Sequence, residues 1–233
     1  MSKLAKALTA SAGNAGGTEG YVEDVFSTFL WEGNATARSI NNGIDLSGEG
    51  GLVWIKNRDT ALSHALSDTA RGANKQLNSN TTGSQGSQTT ILTAFNNNGF
   101  SIGADSDVNQ NAKNIASWSF RKANKFFDVL TYTGNATART IAHNLGSVPG
   151  MIIIKQIDAT RNWPVYHVSL GAGYWDILNT GQAAQQNTNL WNNTAPTDSV
   201  FSVGTDNHNN GSGGTYVAYL FASDAGGYGD DGT

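Results

Sequence analysis

Residues 31 to 40 read WEGNATARSI, and residues 132 to 141 read YTGNATARTI. The shared GNATAR begins at Gly33 and again at Gly134, an offset of 101 residues, and other landmarks follow the same spacing. Phe100-Ser101-Ile102-Gly103 maps onto Phe201-Ser202-Val203-Gly204, Trp118 and Phe120 onto Tyr219 and Phe221, and Leu77-Asn78 onto Leu178-Asn179. Between them, GGLVWIK (50–56) matches PGMIIIK (149–155) at an offset of 99, as a two-residue change in the preceding turn would produce. The chain therefore reads as two copies of one unit. A unit of about 100 residues is the size of a complete β-sandwich, which buries its own core without stacked neighbours.

Composition agrees with strands rather than helices. Of 233 residues 28 are Gly and only 3 are Pro, with Asn, Ser and Thr abundant, which suits short strands joined by tight turns. Alternating or short apolar runs at VFSTFLWE, GLVWIKN, ILTAFN, IASWSFRK, FFDVLTYT, MIIIKQI and TYVAYLF mark strands, and Gly and Asn clusters separate them. The expected fold is all-β, with two tandem antiparallel β-sandwich modules of jelly-roll-like form. Residues 21–123 and 124–223 form the modules, a short helix and Gly-rich tether occupies 1–20, and a Gly/Asp-rich tail occupies 224–233. Gly33/Gly134 and Asn34/Asn135 read as turn formers, and Phe100/Phe201 as core, so the repeated motif is scaffold.

Charge and cysteine usage narrow the function. Charged residues are 14% of the chain and the formal net charge is −4, which gives no electrostatic reason to bind nucleic acid or an anionic membrane. With no cysteine there is neither a disulfide framework nor a thiolate metal site. Apolar runs such as GMIIIK fall far short of the ~18 residues a membrane span needs. Lys6 interrupts the apolar stretch of MSKLAKALTASAG, which favours a short amphipathic helix over a secretion signal.

Catalytic signatures are absent from the sequence. His64, His143, His167 and His208 are scattered, without metal-ligand spacing, and no nucleophile elbow or phosphate loop occurs. No cofactor or metal is expected: Asp105, Asp107 and Asn109 alternate like the first ligands of a calcium loop, the one weak candidate, but read first as a solvated polar hairpin tip. Gln110 stands where such a loop needs Gly, however, and Ala116 where it needs a bidentate Glu. Trp54 and Trp118 fall inside strand patterns and read as core. Trp163, Trp175 and Trp191 sit beside polar stretches (TRNWP, GAGYWD, NLWNNT) and are the candidate contacts to a neighbouring subunit or a glycan.

Several segments carry a resemblance: DTARGANKQLNS, ASWSFRKANKFFDVLTYTGN, AHNLGSVPGMIIIK, NWPVYH and WNNTAPTDSVFSVG. Over about residues 20 to 230 the chain resembles repeat-containing virion structural proteins of tailed marine bacteriophages and cyanophages. The resemblance implies a non-enzymatic structural component located in the virion: a tail fibre, a tail-associated protein or a capsid decoration. Its implied partners are other virion proteins and further copies of itself in a homo-oligomer, a trimer among the options. A lectin-like module binding host-surface glycans is the alternative reading, and a glycan hydrolase the third.

Overall fold

The computed structural model describes residues 21–223, so the helix and tether expected at 1–20 and the tail expected at 224–233 lie outside the described residues. Among the described residues the chain is all-β. Its first half carries β1 (Phe26–Glu32), β2 (Arg38–Asn41), β3 (Gly51–Asn57), β4 (Ala65–Asp68), β5 (Lys75–Gln76), β6 (Gly86–Ser87), β7 (Leu92–Asn96), β8 (Gly99–Ile102) and β9 (Asn114–Arg121). The second carries β10 (Phe127–Thr133), β11 (Arg139–Ala142), β12 (Pro149–Gln156), β13 (Pro164–His167), β14 (Tyr174–Ile177), β15 (Gln185–Gln186), β16 (Val200–Val203) and β17 (Thr215–Ala222). Three one-turn helices interrupt them: α1 (Val22–Val25), α2 (Ser106–Asn109) and α3 (Asn207–Asn210). None is long and apolar enough to cross a membrane.

All pairings are antiparallel. A four-stranded sheet β1-β9-β3-β4 faces a three-stranded sheet β2-β8-β7 in the first half. A six-stranded sheet β10-β17-β12-β13-β14-β15 faces the pair β11-β16 in the second. Strand registers recur at the spacing of the sequence motif: Phe26 lies opposite Phe120 and Phe127 opposite Phe221, Ile40 opposite Phe100 and Ile141 opposite Phe201. One expected landmark fails. Leu77 bridges Leu66 and is buried, whereas Leu178 lies beyond β14 and is 37% exposed. The register pairs Leu66 with Leu77 and Val165 with Asp176, so the 99-residue offset runs on past β5. The two residues are regained between Trp191 and Val200, where turns replace the strand β7 of the first half.

Each half has its own core. Trp31, Ile40, Val53, Ile55, Leu92, Phe100 and Ile115 pack in the first, and Ile141, Ile152, Ile154, Tyr166, Trp191, Phe201 and Tyr216 in the second. A third core joins them, made of Leu52, Leu66 and Leu77 from one half and Phe127, Val129, Ile153, Trp163, Val165, Val217 and Tyr219 from the other. Successive residues of a strand point to opposite faces, so Ile152 and Ile154 fill the second core while Ile153 fills the joint. That is why MIIIK is a continuous apolar run and not an alternating one: its strand is covered on both faces.

Candidate functional site

The repeated GNATAR forms the same clamp twice. A Cβ on Gly33 would overlap the Gln110 carbonyl oxygen, and one on Gly134 that of Gly211, so only glycine lets the backbones approach this closely. Ala35 and Ala136 take positive φ (52° and 55°), an unusual conformation for a residue with a side chain. Their N–H groups donate to the carbonyls of Asn109 and Asn210. Both of these asparagines are wholly buried. Asn109 Nδ2 donates to Thr36 O (2.8 Å) and Gly103 O (3.0 Å) while its Oδ1 accepts from Asn34 N–H. Asn210 repeats the set with Thr137 O, Gly204 O and Asn135 N–H. Arg38 and Arg139 reach back to the Glu32 and Thr133 carbonyls, closing the end of the edge strand.

This clamp accounts for the calcium candidates. Asp105 is the N-cap of α2, its Oδ1 accepting the Asp107 N–H at 2.9 Å, and Asn109 is spent on the clamp. Asp107 takes a 3.4 Å bond from Gln76, and burial pushes its carboxyl above the ordinary range. The three residues turn a capped helix, so Asn109 cannot join the two carboxylates around an ion. Among the described residues no group of three or more His, Cys, Asp or Glu could hold a metal.

Two of the three candidate tryptophans also prove to be internal. Trp191 is 1% exposed and meets Tyr166 edge-on at 5.7 Å inside the second core. Trp163 is fully buried in the joint, its Nε1–H donating to Thr81 O of the first half at 2.9 Å. Neither indole can reach another subunit or a glycan, which corrects the expectation for both. Trp163 does bind a neighbouring module, but that module belongs to the same chain.

The joint carries polar groups that the sequence reading missed. Asp68 and Arg71 are 0% and 1% exposed at their side chains and pair at 2.5 Å, and Tyr219 of the other half donates to the same Asp68 oxygen at 2.8 Å. Arg71 also donates to Leu66 O and to Gln85 Oε1. Burial raises the Tyr219 phenol far above its usual range, so it stays a donor. Lys155, wholly buried, donates to the carbonyls of Gln156, Ala159 and Thr82 at 2.8 to 3.2 Å. Burial lowers its ammonium pKa to about 8. Lys56 makes the matching local bonds to Asn57 O and Thr60 O, and only Lys155 adds a carbonyl from the opposite half. A lysine closing two equivalent apolar strands was the available signal.

Trp175 is the candidate that stays half-open. It sits on β14 opposite Gln185, its ring packed on the second core and 5.1 Å from His208. His208 Nδ1 meets Asp206 Oδ1 at 2.8 Å, and Asn187 Nδ2 donates to the other carboxylate oxygen at 3.1 Å. The His208 hydrogen bond, with those from backbone and Asn187, holds the Asp206 carboxylate at about 2. At the matching place in the first half Gln76 meets Asp107. The second half thus presents an aromatic edge beside an anchored carboxylate, an imidazole and amides, a set able to stack on an apolar ring face and hydrogen-bond its hydroxyls.

Two sandwiches packed through a buried joint, with an aromatic and polar corner on one of them, define the class as an all-β scaffold. The chain belongs to the family described as Domain of unknown function (DUF7483), which matches residues 22–233. No curated protein and no solved structure matches it at a significant level.

Proposed function

We propose that the chain is a non-enzymatic structural component of a bacteriophage virion, a tail fibre, tail-associated or capsid decoration protein that assembles with other virion proteins and with copies of itself. The observation that carries this reading is the joint. Ten buried apolar residues drawn from both halves, together with the Asp68–Arg71–Tyr219 cluster, make the two modules one stiff body. Stiffness between modules serves a part that must hold position on a particle, and the wording of the sequence resembles such parts. Mass spectrometry of purified particles, with antibody labelling to place the protein, tests the proposal. Recovery in washed particles at a fixed stoichiometry is expected; abundance in infected cells with none in purified particles would refute it.

A second reading, host-glycan contact, is favoured by the Trp175, His208, Asp206 and Asn187 corner. Titration of the full chain with host surface polysaccharide should show binding that Trp175→Ala abolishes with the fold intact. Equal binding by the variant would remove this corner from consideration.

A further inference from the structure

The strand β1 is bonded on one side only. The sheet order ends on it, and its seven residues pair with β9 from Phe26–Phe120 to Glu32–Asn114. The next residue, Gly33, donates to Lys113 O, which sets the alternation of an antiparallel ladder. Ser27, Phe29 and Trp31 turn their backbone groups toward β9, and Phe26, Thr28, Leu30 and Glu32 turn theirs outward.

Each end of this outward row is half closed. The Phe26 N–H donates to Val22 O, and the Glu32 carbonyl accepts from Arg38. Between them the N–H and C=O of Thr28 and of Leu30 meet no partner among the described residues. Leu30 is 58% exposed, the largest value for any large apolar side chain described. FSTFLWE holds no proline or lysine, the residues that usually guard an edge. The matching strand β10 is closed more fully: Phe127 exchanges both bonds with Ala123, Asp128 Oδ1 takes the Val129 N–H, and Arg139 takes the Thr133 carbonyl. Thr131 alone keeps both outward groups open there.

We propose that β1 pairs antiparallel with β1 of a second copy of this chain, about a two-fold axis at Phe29, with Thr28 of each copy opposite Leu30 of the other. The second copy is the fitting occupant because the row is self-complementary. Two open residues flank Phe29, so an identical antiparallel strand satisfies all their donors and acceptors, and the already bonded Phe26 N–H falls opposite the already bonded Glu32 carbonyl of the other copy. A longer foreign strand would leave its own groups unpaired against those half-closed ends. The result is an isologous interface that fuses two four-stranded sheets into one. Each Leu30 then lies against a partner Thr28.

This pairing deepens the structural reading above and rests on it for the claim of self-association. Sedimentation velocity of the full chain over a concentration series should show a mass that rises to two chains. Thr28→Pro removes one outward donor and spares the β9 ladder, as an edge strand tolerates, and Leu30→Lys places a charge on the edge. Both variants should remain one chain at every concentration with unchanged circular dichroism and melting, while Thr131→Lys on β10 should still dimerise. If Thr28→Pro does not fold, Leu30→Lys decides alone. A wild-type chain that stays monomeric, or an oligomer that Leu30→Lys leaves intact, would overturn the pairing. Either result leaves the presence of the protein in particles, read by mass spectrometry, unaffected.

Discussion

Truncating Trp163 to Ala tests whether the joint welds the halves. The side chain is fully buried in the shared core, and its indole N–H donates to Thr81 O across the joint at 2.9 Å. Removing a buried Trp side chain costs about 3 to 5 kcal/mol through lost transfer energy and the cavity left behind. The stranded Thr81 carbonyl adds about 1 kcal/mol if water does not reach it. Trp163→Phe separates these contributions: it keeps most of the ring, loses the donor, and should cost about 1 to 2 kcal/mol beyond its change in volume. Guanidinium unfolding followed by far-ultraviolet circular dichroism is the assay, since it does not depend on the indole removed. The wild type should unfold in one transition because neither half can shed the joint alone. Trp163→Ala should lower the midpoint and split the transition in two. A loss below about 1 kcal/mol with a single unchanged transition would refute the joint as a source of coupling.

Three further outcomes follow from the same geometry. Asn109→Ala and Asn210→Ala each strand one buried carbonyl, one part-buried carbonyl and a backbone N–H, so each should cost about 2 to 4 kcal/mol in thermal unfolding, to a similar extent in both halves. Because burial depresses the Lys155 ammonium to about 8, the folded state holds fewer protons than the unfolded state between that pH and the ordinary lysine range. Stability relative to a Lys155→Met variant should therefore rise with pH through that window, and a flat difference would place the ammonium in an effectively hydrated setting. Asp206, held at about 2, contributes stability that is present above the ordinary carboxylate range and lost as pH falls through that value. A carbon-13 titration should find its midpoint there, moving up in His208→Ala.

The sequence determined the fold class and the pairing of the repeated motif. Gly33 and Gly134 mark a backbone approach that no other residue permits, and their 101-residue spacing recurs in the strand registers because each copy supplies its own pairing partners. Trp191 was legible too, had the 99-residue offset been carried further, since it then falls on Leu92, a core residue. Tertiary structure alone decided the joint. The apolar runs of GLVWIK and MIIIK show that both faces are buried, but not what covers the second face, because burial is non-directional. Asp68 and Tyr219 lie 151 residues apart, and a hydrogen bond between polar groups on different modules leaves no trace in local spacing. The same reason applies to Trp163 and Trp175. Both are indoles among polar neighbours, and only the packing of one half on the other buries the first while leaving the second half-open beside His208.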